Sequence, residues 1–196
     1  MKMITTPEQI TEHFAGSEFR CKGSCTCGKI NIDEEFVKRM EKVYSILSKL
    51  PCGVGAIYIN SGYRCAKACQ IINGAFIGDM HNIGAAADWC ATDKNGNRID
   101  ALTLCEAAQI AGFGGIAIIS NFDVHTDDRQ RGDIQYNNKQ WYGDERGGSG
   151  VTTFIGKSRY TNELAAIAKG QTTNTSKHKL TVAIDGKTIF EKEIDI

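Results

Sequence analysis

The chain has 196 residues, with 23 Lys plus Arg against 23 Asp plus Glu and 41% apolar residues. That length and balance fit one soluble globular domain, with room for a sizeable core and a small appendage. The zero formal charge removes the electrostatic case for nucleic acid or an anionic membrane as partner, and no stretch approaches the roughly 20 apolar residues of a membrane span.

Residues Met1–Glu8 lack the apolar run of a signal peptide. A short helix is expected over 7–14, with Pro7 in its first turn. A longer helix is expected over 33–50. Phe36, Met40, Val43, Tyr44, Leu47 and Leu50 form its apolar stripe, acids Asp33–Glu35 stand at its start, and Pro51 marks its end. Residues 55–60 read as a strand feeding a turn at Ser61–Arg64, followed by a short helix over 65–72 and a strand over 85–91. Asp93–Asn97 is a turn cluster, and 100–111 is an amphipathic helix. Residues 115–119 and 122–127 are expected to pair as a hairpin. The Gly-rich, polar segment 131–150 reads first as a surface loop anchored by Trp141 and Tyr142, and second as one wall of a groove. A helix over 157–169 and a linker over 171–176 lead to a hairpin signal, 180–184 and 188–190 about Asp185–Gly186. A lone hairpin is marginal in water, so it must dock on the core or on another chain. The pattern implies an α+β fold: a small antiparallel sheet flanked by helices over residues 1–150, and a C-terminal helix, linker and hairpin over 151–196.

Two of the four histidines lie in the segments that carry chemistry, Asp79–Asp88 and Phe122–Asp127. His81, Asp88 and His125 are the ligand types a divalent zinc site uses. On a continuous helix, positions seven apart are separated by about 10 Å of rise and could hardly share an ion. A turn at Gly84 leading into a strand brings His81 and Asp88 together, and small Ala85, Ala86 and Ala87 allow close approach. On the second segment, strand alternation projects Asp123, His125 and Asp127 from one face. Three protein ligands leave a coordination position for water, and a nearby carboxylate can take its proton.

Ser61-Gly62-Tyr63-Arg64, His81-x6-Asp88 and His125-x-Asp127-x-Arg129 together resemble the zinc D-alanyl-D-alanine carboxypeptidase family, which includes phage L-alanyl-D-glutamate endopeptidases. That family shares its core with lysostaphin-type enzymes and the hedgehog signalling domain. Glu18–Cys21 and the Gly-rich run Gly112–Ala117 fit the same family, and the resemblance spans about residues 5–145. It implies His81, Asp88 and His125 as zinc ligands and Arg64 as the group that binds substrate or the charged transition state. It also implies a peptidoglycan stem peptide as substrate, cut at a D-Ala-D-Ala or an L-Ala-D-Glu bond. Asp123 is expected to be the general base, with Asp127 as its rival. Asp79 stands where many relatives have Ser; it is read as a substrate-ammonium contact, a support for a ligand, or a solvated loop residue, and Tyr63 is grouped with it as substrate-binding. Cys69 and Asn73-Gly74 also depart from the family pattern, at positions that bear on substrate preference. A non-catalytic zinc module of the same fold, wall-binding or virion-structural, is the competing expectation. The expected enzyme is a monomer acting at the cell wall, made in the cytoplasm and released, or stripped of a leader.

Eight cysteines remain: Cys21, Cys25, Cys27, Cys52, Cys65, Cys69, Cys90 and Cys105. Three readings stay open, in order of preference: reduced or partly paired structural cysteines, disulfides, and a second metal site. The Cys21-x3-Cys25-x-Cys27 spacing is not that of a standard zinc finger.

Overall fold

The computed structural model describes residues 1–134, 139–147 and 149–171, together with the backbone of 177–184 and 187–195. Two short strands, β1 (Met3–Ile4) and β2 (Ile32–Asp33), pair antiparallel and lead into helix α1 (Glu34–Leu47). Asp33 caps that helix, its carboxylate accepting from the Phe36 amide at 3.1 Å. Of the predicted stripe, Phe36, Met40, Val43 and Leu47 are fully buried and Leu50 is buried, while Tyr44 is only partly so. Helix α4 (Ala101–Ala111) packs beside α1, capped by Asp100 and closed by Gly112 at φ 97°.

The main sheet holds β3 (Ala56–Ser61), β4 (Ala86–Thr92), β5 (Gly115–Ile118), β6 (Val124–Asp127), β7 (Trp141–Asp144) and β8 (Ser149–Gly150). Its order is β3-β4-β6-β5-β7-β8. Two small helices, α2 (Ala66–Ile71) and α3 (Met80–Ile83), lie between β3 and β4. One face of the sheet meets the helices: Ala87, Trp89 and Ala91 of β4 and Val124 of β6 join the main core. Trp89 Nε1 donates to the buried Thr126 hydroxyl at 3.0 Å, which satisfies both polar groups inside that core. Strand alternation therefore sends Asp88 and His125 to the other face, where they pair across β4 and β6.

Three expectations are corrected. Residues 7–14 form no helix: the Ile10 and Thr11 amides both donate forward to the Phe14 carbonyl, opposite to helical hydrogen bonding, and Phe14 is pulled into the core. The four strands β3, β4, β6 and β5 are antiparallel as expected, but β7 runs parallel to β5. Strand β7 pairs with the edge of β5 that β6 leaves free, so 141–144 extends the sheet where a loop was expected.

Residues 151–171, expected with the appendage, pack into the main core through Phe154, Leu164 and Ile167, the last two on helix α5 (Thr161–Ala168). The buried Glu106 carboxylate of α4 anchors the approach to α5, accepting from the Gly156 and Ser158 amides and the Thr161 hydroxyl at 2.9–3.0 Å. Strands β9 (Lys177–Ile184) and β10 (Lys187–Asp195) pair antiparallel as the sequence predicts, while Asp185-Gly186 and residues 172–176 of the linker lie outside the described residues. No helix among the described residues is long and apolar enough to cross a membrane.

Candidate metal centre

The turn that unites His81 with Asp88 is built from local signals. Asp79 caps α3, its Oδ1 accepting from the Asn82 amide at 2.7 Å and its Oδ2 from the Phe76 amide at 3.2 Å. Gly84 ends the helix at φ 84°, in the left-handed region. A Cβ there would also lie 2.2 Å from the Asn31 carbonyl oxygen, so conformation and space both require glycine. The chain then enters β4, and Asp88 faces His125 across the ladder. The Ser61–Arg64 turn is tied to the same helix: the Arg64 amide donates to the His81 carbonyl at 3.1 Å, and Asn82 Nδ2 donates to the Arg64 carbonyl at 2.8 Å.

Three ligand atoms converge there. His81 Nε2 lies 3.2 Å from His125 Nδ1 and 3.3 Å from Asp88 Oδ1, and His125 Nδ1 lies 2.9 Å from Asp88 Oδ1. Tetrahedral zinc with bonds of about 2.05 Å sets its ligand atoms about 3.3 Å apart, so the triangle has the dimensions of one face of that coordination shell. The far side of each donor is also committed. His81 Nδ1 lies 2.7 Å from the Gly62 carbonyl, and His125 Nε2 lies 3.1 Å from Asp127 Oδ2. Each imidazole can donate outward and present its inner nitrogen as a lone pair, the arrangement typical of metal-binding histidines. Asp88 Oδ2 accepts from Arg64 Nη2 at 2.5 Å, leaving Oδ1 turned toward the two rings. The donor set therefore fits a zinc ion.

The electrostatics agree. Burial opposes ionisation of Asp88, but hydrogen bonds from His125 and His81 hold its pKa well below the usual carboxylate range. Burial pulls the His125 pKa down, but Asp127 and Asp88 on either side outweigh it and raise the pKa to about 9. Asp127 is fully buried and anionic despite burial, held by His125 and by Arg129, whose Nε and Nη2 reach its oxygens at 2.5–3.0 Å. Carboxylates on both sides of His125 make this a pocket that favours a cation.

The cluster opens into a cavity of ≈ 440 Å³ lined also by Arg129, Trp141 and Glu145. The Arg129 guanidinium sits 4.9 Å from the Trp141 ring centre, and that ring meets His125 edge-on at 6.3 Å. A second cavity of ≈ 480 Å³ lies over His13 and Tyr44. There His13 stacks on Tyr44 and pairs with Glu41 at 2.6 Å, so its imidazole is already engaged.

The structure brings His81, Asp88, His125 and Arg64 together, and it does not bring Asp123 to them. Asp123 stands just before β6, but its Oδ1 accepts from Asn60 Nδ2 at 2.9 Å and Arg98 Nη2 at 3.0 Å, and its Oδ2 from the Ser120 hydroxyl at 2.5 Å. A carboxylate saturated by a guanidinium and two neutral donors is a turn-stabilising group, and it does not line the cavity. Asp79 does line the cavity, but its Oδ1 is spent on the α3 cap and its Oδ2 on the Phe76 amide of the preceding turn. Tyr63 lies away from the cavity, packed on Cys21, Cys65 and Ala68. Sequence reasoning missed Glu145. It enters the cavity because β7 joins the sheet, and no motif in the sequence announces that strand.

A family model described as Peptidase M15 matches residues 12–127, more than half of the chain, and includes Ser61–Arg64, His81, Asp88 and His125. No curated protein and no solved structure matches the chain.

Proposed function

The chain belongs to the Peptidase M15 family of zinc metallopeptidases, and from that premise we propose that it hydrolyses peptide bonds in peptidoglycan stem peptides, as a D-Ala-D-Ala carboxypeptidase or an L-Ala-D-Glu endopeptidase. The observation that carries this reading is the convergence of His81 Nε2, His125 Nδ1 and Asp88 Oδ1 within 3.3 Å of one another beside an open cavity.

In this reading His81, Asp88 and His125 hold the zinc ion. When bound, zinc supplies Lewis acidity, polarising a peptide carbonyl and making water acidic near neutral pH. Arg64 and Asp127 orient the ligands, one on Asp88 and the other on His125. Glu145 is the general base. Among the carboxylates lining the cavity, Asp79 is spent on the helix cap and Asp88 on the cluster. Glu145 has no side-chain partner among the described residues. It takes a proton from the attacking water and returns one to the leaving amine. The Arg64 and Arg129 guanidiniums line the same space and favour a substrate carboxylate or a developing oxyanion. Trp141 supplies an apolar wall for the peptide. The site of action is the cell wall, where this substrate is found.

Incubation of the purified chain with peptidoglycan, followed by mass analysis of the soluble products, tests the reading and names the bond. Release of D-alanine or of free stem peptides, stopped by a chelator and restored by zinc, is expected. Unchanged peptidoglycan with zinc-loaded protein would overturn it in favour of a binding module.

A further inference from the structure

A second set of ligating side chains lies outside the cavity. The Sγ atoms of Cys21, Cys25, Cys27 and Cys65 all fall within 4.8 Å of one another. Cys25 Sγ is the hub, 3.5 Å from Cys21, 3.5 Å from Cys27 and 3.4 Å from Cys65. These separations are far longer than the roughly 2.05 Å of a disulfide. They approach the roughly 3.8 Å edge of a tetrahedron of sulfurs around zinc at about 2.3 Å. A disulfide joins two sulfurs, whereas here one sulfur is equidistant from three.

The loop is shaped to deliver them. The Cys21 amide bonds to the Lys29 carbonyl at 2.7 Å and closes the loop at its neck. Thr26 at φ 52° and Gly28 at φ 58° both take the left-handed conformation and curl the chain tightly enough to turn Cys25 and Cys27 toward one centre. Thr26 is β-branched, and that conformation is unfavourable for it. Backbone amides two residues ahead point at three of the sulfurs: Gly23 at Cys21, Cys27 at Cys25, and Lys29 at Cys27. The fourth sulfur comes from the sequence-distant Cys65, and the loop is pressed against α2 so closely that a Cβ on Gly23 would meet Ala68 Cβ at 2.9 Å.

We propose that Cys21, Cys25, Cys27 and Cys65 form a closed tetrathiolate site for a structural zinc ion, separate from the His81–Asp88–His125 centre. Four soft sulfur ligands in tetrahedral array select zinc among the metals without redox chemistry. The ion pins the 21–29 loop to the residue after Arg64, and so fixes the turn whose Gly62 carbonyl orients His81 and whose Arg64 holds Asp88.

The test measures metal and thiols on the full chain. Wild-type protein is expected to carry two zinc ions per chain, and the His81→Ala/His125→Ala variant one. Cobalt exchanged into that variant should give the intense near-ultraviolet thiolate-to-cobalt charge-transfer band. All eight thiols should titrate after denaturation with chelator, and in the native variant Cys25 and Cys27, the two cluster thiols that are not buried, should resist alkylation until the ion is removed. Cys25→Ser in that background should lose the remaining ion. The proposal is overturned if the His81→Ala/His125→Ala variant folds with no bound zinc and its four cluster thiols are either rapidly alkylated or joined as disulfides by intact mass. Iron in place of zinc would also overturn it. Because the readout is taken without the histidine site, its failure leaves the peptidase reading standing, and loss of peptidase activity leaves this one standing.

Discussion

Arg64 and Cys65 are neighbours in sequence, yet they belong to clusters built on opposite plans. The His81–Asp88–His125 cluster has three ligand atoms carried by regular structure, two on paired strands and one on a capped helix, and it opens on a cavity. The Cys21–Cys25–Cys27–Cys65 cluster has four ligand atoms, three of them on one curled loop, and two of its members are buried. Three ligands beside a cavity leave a coordination position for reacting groups, while four sulfurs leave none. The supports differ in the same sense. The histidines are held by hydrogen bonds to the Gly62 carbonyl and the Asp127 carboxylate that set which nitrogen points inward. The loop cysteines have backbone amides and each other. Rigid elements suit a site whose geometry must be held through a reaction. A loop suffices where the ion itself does the holding.

The largest effect that can break this comparison is removal of an open-site ligand. His125→Ala is expected to abolish zinc retention at that centre and to lower peptidase activity by at least about a thousandfold, since the metal contributes several kcal/mol of transition-state stabilisation. The fold should persist, because His125 faces away from the main core. Elemental analysis, peptidoglycan turnover and circular dichroism check the three statements. Substantial turnover by a variant lacking zinc at this centre would end the metallopeptidase assignment of these residues.

Next in size is Glu145→Gln. If this carboxylate moves the proton, kcat should fall by about 10²–10⁴, with zinc content unchanged and KM little altered. A fall in zinc content would instead make it a contributor to the metal site, and unchanged kcat would remove it from the reaction.

Asp127→Asn probes the support behind the ligand. Loss of a hydrogen-bonding partner behind a metal-bound histidine weakens metal affinity by about 10–100-fold. That range is expected here because Asp127 is fully buried between His125 and Arg129. Competition with a chelating indicator measures it, and activity should recover at saturating zinc.

These effects follow how much the sequence revealed. The convergence of His81, Asp88 and His125 was legible because each position depends on local signals: Asp79 and Gly84 bracket a one-turn helix, and period-two alternation puts Asp88 and His125 on one sheet face. Helices α1 and α4 were legible for the same reason, through their acidic caps and apolar stripes. What failed depended on distant partners. The parallel pairing of β7 with β5 is a long-range contact that leaves no periodic trace, so Glu145 and Trp141 were hidden as cavity residues. The 7–14 segment has helix-compatible residues but is drawn out of helix by burial of Phe14. Cys65 lies 38 positions beyond Cys27, and only the fold brings it to the loop.

The smallest expected effect discriminates most sharply between pattern and geometry. Alternation along β6 nominated Asp123 as base, two residues before His125. Alternation fixes a face, but along a strand two residues span about 6.6 Å, so a shared face does not make a shared site. Asp123 spends its oxygens on Asn60, Arg98 and Ser120, and it does not line the cavity in which the water would be held. Asp123→Ala should therefore change kcat less than about tenfold, well short of a lost general base. It should cost on the order of 1 kcal/mol in stability, because the Ser120–Asp123 turn loses its acceptor and the Arg98 pair is partly exposed. Urea denaturation and steady-state kinetics on the same preparation measure both. A kcat loss of a thousandfold with stability and zinc intact would return Asp123 to the reaction and reduce Glu145 to a wall of the cavity.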